Sequence, residues 1–153
     1  MTIAYVEDEA LKTVVLQILK AVQITNVSVS KPNTGGWSEV IKSVKNLINQ
    51  NISAVGIIDG DVKRDAEDYM NSNHLNNLKI FILQKREIEK YFYDKELWNG
   101  IDAIEKYMSS NRTYSAFKVF INNSNNKELL NRVAVKLAEE GCAEIEHFTN
   151  FVK

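Results

Sequence analysis

Five consecutive apolar residues, Ala54-Val55-Gly56-Ile57-Ile58, run straight into Asp59-Gly60-Asp61. A run without polar alternation suits a strand buried on both faces, and such strands belong to parallel sheets covered by helices on each side. The rest of the chain agrees. Strand and helix patterns alternate almost from end to end, as in an α/β domain with a Rossmann-like, mostly parallel sheet of four or five strands. Ile3-Ala4-Tyr5-Val6 reads as the first strand, and Leu11, Val14, Val15, Ile18 and Leu19 then recur at helical spacing. Val27-Ser28-Val29 is a short second strand ahead of the turn Lys31-Pro32-Asn33-Thr34-Gly35-Gly36, which holds the single proline. Ser38 is expected to cap the next helix, whose apolar stripe is Val40, Ile41, Val44, Leu47 and Ile48.

The polar stretch from Asp61 to Asn77 reads as a loop with a short helix. Lys79 to Leu83 is the fourth strand, and Arg86 to Tyr93 one or two helical turns with Ile88, Tyr91 and Phe92 inward. Beyond Asp94 helices are expected near 100–109, 126–139 and 142–152. Tyr114 to Ile121 suits a helix or a fifth strand equally. The expected organisation is a catalytic core over 1–93 and a mainly helical extension over 94–153, packed on the same domain.

The chain has 153 residues, enough for a substantial core, and is 44% hydrophobic and 25% charged. No apolar run approaches membrane-spanning length and no charged-then-apolar leader opens the chain, so a cytoplasmic protein is expected. One cysteine, Cys142, excludes an intramolecular disulfide. It is expected to be a small buried residue near a helix start. The net charge of −1 is not that of a self-sufficient nucleic-acid binder. Action on DNA would need a metal and a partner to supply positive field.

Three acidic clusters follow predicted strands: Glu7-Asp8-Glu9, Asp59-Gly60-Asp61 and Glu87-Ile88-Glu89. Strand C-terminal ends of an open parallel sheet share one edge, where ligands bind. Carboxylates converging there repel one another unless a cation lies between them, and oxygen-only donors suit Mg²⁺ or Mn²⁺. In extended chain Asp59 and Asp61 face one side, although Asp and Gly also make ordinary turns. Asp8 or Glu9 is expected to cap the following helix, leaving Glu7 for the crevice as ligand or acid-base group. Of Glu87 and Glu89, which suit a solvated helix face when taken alone, one is expected to reach the metal. Gly35-Gly36 makes a tight turn at the same edge, near Lys31, without the spacing of a full phosphate-binding fingerprint. His74 and His147 have no partners at zinc-ligand spacing. No nucleophilic triad is supported, and Trp37, Trp98 and Tyr91-Phe92-Tyr93 read as packing.

A Glu after strand one, a Gly-Gly turn, a D-x-D after a later strand and then Arg86-Glu87-Ile88-Glu89-Lys90-Tyr91-Phe92 together resemble the TOPRIM domain. The last segment is most similar to that of the OLD (overcoming lysogenisation defect) nucleases. The resemblance covers Thr2 to Tyr93. It implies Glu7, Asp59 and Asp61 as the core of a site for one or two Mg²⁺ or Mn²⁺ ions, with Glu87 or Glu89 added. It also implies DNA cleavage assisted by a late lysine, for which Lys118 is the first candidate and Lys136 the second. Asp8 stands where the family's glycine would be and Leu11 where a further acid is common. Those departures weaken the second metal position or move its ligand to Asp8 or Glu9. OLD proteins join this domain to an ABC-type ATPase, whose motifs are absent here. The resemblance therefore implies an excised domain, a subunit of a split system or a solitary TOPRIM protein, possible as a homodimer, acting on DNA or RNA and plausible in phage defence.

A response-regulator receiver is the competing class, with Asp59 as its phosphorylated residue and Glu7-Asp8-Glu9 resembling its acidic pair. No Met-Pro follows Asp59, no Thr/Ser-Ala follows Leu83, and Asp61, Glu87 and Glu89 would have no role. A degenerate TOPRIM domain serving only as a binding module is the third reading.

Overall fold

The computed structural model describes residues 1–141 and 143–152, so the expectation for Cys142 lies outside the described residues. Four strands, β1 (Thr2–Val6), β2 (Val27–Ser30), β3 (Ala54–Ile58) and β4 (Ile80–Ile82), form one all-parallel sheet in the order β2-β1-β3-β4. All five β3 residues are buried, as an unbroken apolar run requires. From β1 the chain moves outward to β2, then crosses to β3 on the other side of β1. The boundary between β1 and β3 is therefore the topological switch point, where the loops diverge and leave a crevice.

Among the described residues, eight α-helices flank the sheet: α1 (Glu9–Ala21), α2 (Trp37–Asn49), α3 (Lys63–Ser72), α4 (Ile88–Asp94), α5 (Asp102–Met108), α6 (Tyr114–Ile121), α7 (Lys127–Glu140) and α8 (Ala143–Val152). On one face, Ala4, Val6, Val55 and Ile57 share a buried cluster with α1 and residues of α4 to α8. That cluster joins Thr2–Tyr93 to the segment beyond it. On the other face, Ala54 and Ile58 pack under α2 and α3 with Val40, Ile41, Val44 and Ala66. The alternation of β3 side chains between two clusters is the period of two expected of a strand. Gly56 lets α2 approach: a Cβ there would lie 2.7 Å from Ile80 Cδ1 and 2.9 Å from Val40 Cγ1.

Three local expectations are refined. Tyr114 to Ile121 is helical, begun by Thr113, whose Oγ1 accepts from the Ala116 amide at 3.1 Å. Phe117 and Ile121 point into the core four residues apart, so no fifth strand forms among the described residues. The polar stretch after Asp61 holds the ten-residue α3, hidden in sequence because Ala66 is its only buried residue. Ser38 does not cap α2; Gly36 holds the cap position at φ 113° without a side-chain bond, and Ser38 is already helical.

Helices α1 to α4 end alike. Gln23, Asn51, His74 and Glu96 adopt positive φ of 50–60°. The next residue, Ile24, Ile52, Leu75 or Leu97, donates its amide back to Leu19, Leu47, Met70 or Phe92. This is the Schellman closure, which favours glycine at the left-handed position. Glu96→Gly is therefore expected to raise stability by about 0.5–1 kcal/mol, net of glycine's unfolded-state entropy. A shift of the denaturation midpoint at constant slope would register it.

Candidate functional site

Strand register brings the first two acidic clusters together. Val6 pairs with Ile57, so the residues leaving β1 and β3 are neighbours across the switch point. Glu7 Oε1 accepts the Asp59 backbone amide at 2.9 Å. Burial pushes the Glu7 carboxyl up to about 7 against the pull of that bond, with Asp8 and Asp61 adding repulsion. Asp8 turns toward α1 and caps it, Oδ1 accepting from the Leu11 amide at 2.9 Å. Glu9 lies outside, 3.8 Å from Lys31. Gly35 belongs to the same edge, since a Cβ there would sit 3.9 Å from the Glu7 carbonyl oxygen.

Asp59 is 7% exposed, and its Oδ1 is buried without a hydrogen-bond partner among the described residues. Burial, then the charges of Asp8, Glu7, Glu89 and Asp61, push its carboxyl up to about 9. Asp61 does not share its orientation. Gly60 opens a 3₁₀ turn over Gly60–Val62, which breaks the period of two and leaves Asp61 exposed at the rim. The turn is joined to the loop after β4: Gly60 N donates to Lys85 O at 3.2 Å and Asp61 N to Arg86 O at 3.0 Å. A Cβ on Gly60 would fall 2.3 Å from the carbonyl oxygens of both Leu83 and Lys85. Gly60→Ala is thus expected to cost about 2–4 kcal/mol by driving the acidic turn off that loop. Chemical denaturation checks this; a loss under about 0.5 kcal/mol would contradict the packing.

The third cluster is buried, unlike a solvated helix face. Glu87 and Glu89 are 6% and 3% exposed, and they face different partners. Glu87 Oε2 accepts from Tyr114 Oη and from Lys118 Nζ, both at 2.7 Å, while Arg86 Nε lies 3.5 Å from its Oε1. Burial raises the Glu87 carboxyl, but Lys118, Tyr114 and Arg86 outweigh it and hold the group below the ordinary range. Glu89 Oε2 accepts from Asn122 Nδ2 at 2.8 Å, and Oε1 has no partner among the described residues. Burial dominates there and raises its carboxyl, with Asp8 and Glu87 adding to it against the Asn122 bond.

The two lysine candidates separate. Lys118 reaches Glu87 and feels the charges of Glu89 and Asp59. Lys136 instead donates to the Asn99 carbonyl. Tyr114 and Asn122 are site residues that sequence reading missed. With Lys118 they stand four apart, a spacing that points to one helix face only once the segment is known to be helical. Trp98 packs against Tyr93 and Phe117, and Trp37 against Tyr69 edge to face.

The described residues contain no group of three or more His, Cys, Asp or Glu arranged to hold a metal ion. They do contain two buried carboxylate oxygens, on Asp59 and Glu89, without a hydrogen-bond partner. Leaving a buried charged acceptor unsatisfied costs about 1–3 kcal/mol or more. Each group escapes by holding a proton or by meeting a cation. No described helix is long and apolar enough to cross a membrane. No protein-family model, no curated protein and no solved structure matches this chain.

Proposed function

We propose that this chain is a divalent-cation-dependent phosphodiesterase acting on nucleic acid, a DNA nuclease of TOPRIM type most similar to the OLD family. One observation carries this reading: Asp59 Oδ1 and Glu89 Oε1 are buried acceptors without a hydrogen-bond partner among the described residues, within an acidic cluster at the switch point of a parallel sheet. The donors are all oxygen, the chemistry of Mg²⁺ or Mn²⁺. Asp59 and Glu89 would offer their free oxygens to an ion, with Glu7, Asp8 and Asp61 supplying negative charge around it, although no three carboxylates among the described residues are already arranged as a cage.

A bound ion would offset charge on the scissile phosphate and lower the pKa of the attacking water. The chain's own groups do the rest. Lys118, anchored by Glu87, directs its remaining ammonium protons toward phosphate oxygen. Glu7, which meets Asp59 at the switch point, is the group to ligate the ion or to shuttle a proton between water and the leaving oxygen. Glu87 serves as the anchor of Lys118. A DNA or RNA substrate, an ABC-type ATPase partner, a role in phage defence and a cytoplasmic setting belong to the same proposal through the family resemblance.

The strand order β2-β1-β3-β4 also occurs in doubly wound folds of the receiver kind, which keeps a phosphorylated Asp59 as the second reading. Against it, Asp59 is nearly closed to solvent, and the segment where a fifth strand would lie is α6.

Nicking of supercoiled plasmid with Mn²⁺ or Mg²⁺ tests the proposal. Cleavage that disappears in Asp59→Ala/Asp61→Ala supports it. Cleavage that survives in that variant refutes the site. Acetyl-phosphate labelling of Asp59 without cleavage would favour the receiver.

A further inference from the structure

We infer that Asn122 is a positioning residue for the cation site, fixing Glu89 so that one carboxylate oxygen stays free. This deepens the metal-site reading and rests on it. The side chain of Asn122 is held at both of its donor positions. Its Nδ2 bonds Lys118 O at 3.0 Å and Glu89 Oε2 at 2.8 Å. Its backbone amide also closes onto Lys118 O at 3.2 Å, so the carboxamide is pinned to the C-terminal turn of α6.

That helix is itself fixed. Phe117 and Ile121 are fully buried on its inner side, and Tyr114 and Lys118 tie its outer side to Glu87. The turn that follows is closed by Asn126 Nδ2 on Phe120 O at 2.8 Å and by Asn126 N on Asn123 O at 2.8 Å. The result is an amide donor set in a rigid frame, aimed at one oxygen of a carboxylate that is 3% exposed. Asn122 is the leading hydrogen-bond influence on Glu89, ahead of the residue's own backbone amide. With that bond made, Oε2 is occupied and Oε1 alone is left for a ligand. The consequence reaches beyond one residue: the helical segment after Asp94 completes the site that Thr2–Tyr93 begins.

Partners that orient a ligating carboxylate change metal affinity by about tenfold to a hundredfold when removed. Mn²⁺ binding to the full chain should be titrated by calorimetry for wild type, Asn122→Ala, Asn122→Gln, Glu89→Gln and Asn122→Ala/Glu89→Gln, with folding checked by circular dichroism. The expected result is a loss of about tenfold or more in Asn122→Ala, partial recovery in Asn122→Gln, and no further loss in the double variant over Glu89→Gln alone. Non-additivity of that kind isolates action through Glu89; a purely structural role would lower the melting temperature and leave the affinity of folded protein unchanged. Unchanged affinity in folded Asn122→Ala, or full additivity in the double variant, overturns the positioning role and leaves the metal site standing. Absence of Mn²⁺ binding by wild type overturns both. If Asn122→Ala does not fold, Asn122→Ser and its Glu89→Gln double variant carry the same comparison.

Discussion

Asp59→Asn is expected to abolish metal-dependent cleavage and, in the absence of metal, to make the protein more stable. Both effects have one cause. Asp59 is buried among like charges and lacks a donor for Oδ1, so its carboxylate form is strained until a cation arrives. An amide of the same shape removes the charge and the ligand together. Stability of the cation-free protein at about pH 8 should rise by about 2 kcal/mol, or roughly 4–8 °C in melting temperature.

The pH dependence follows with a definite sign. In the folded chain Glu7 keeps its proton to about 7 and Asp59 to about 9, whereas both lose it at ordinary carboxylate pH when unfolded. Between those limits the folded state binds more protons, so stability falls as pH rises, by about 1.4 kcal/mol per pH unit for each such proton. Cation-free wild type should therefore weaken from about pH 5 toward about pH 9, and Asp59→Asn should flatten the upper part of that decline. A stability profile that rises with pH in this window would refute the burial of these carboxyls.

Lys118→Met carries the second large effect. Glu87 would keep Tyr114 and Arg86 but lose its closest cation, leaving a buried carboxylate only partly compensated. Lys118 is itself 43% exposed, so solvent screens part of the pair and a loss of about 1–2 kcal/mol is expected. Cleavage should drop about a hundredfold, the usual effect of removing a donor that meets charge developing on oxygen. Glu87→Gln/Lys118→Met separates the two roles. Neutralising the carboxylate should restore stability, whereas activity should stay low because the ammonium is still missing. Recovery of activity with stability would show that Lys118 acts only as a structural counter-ion.

The ends of β1 and β3 were legible from residue order because parallel pairing forces Glu7 and Asp59 onto one edge. Apolar periodicity likewise placed α1, and Asp8 was one of two candidates for its cap. Two features depended on tertiary contacts that no local pattern encodes. Gly60 forms its 3₁₀ turn against Lys85 and Arg86, which sends Asp61 to the rim. Glu87 and Glu89 look solvated between Arg86 and Lys90, yet are buried with Tyr114, Lys118 and Asn122 set against them. The α6 segment itself, Tyr114-Ser-Ala-Phe-Lys-Val-Phe-Ile121, is rich enough in aromatic and β-branched residues to suit a strand. Thr113 as a cap was the signal that could have decided it. Tyr114 and Asn122 followed from that helix and were invisible without it.

Mn²⁺ titration of wild type, Asp59→Asn and Glu89→Gln by calorimetry at neutral pH tests the central claim most directly. Saturable binding by wild type, lost in Asp59→Asn and weakened in Glu89→Gln with both variants folded, is the predicted result. Absence of binding by wild type, or undiminished affinity in folded Asp59→Asn, would contradict a cation site at these carboxylates.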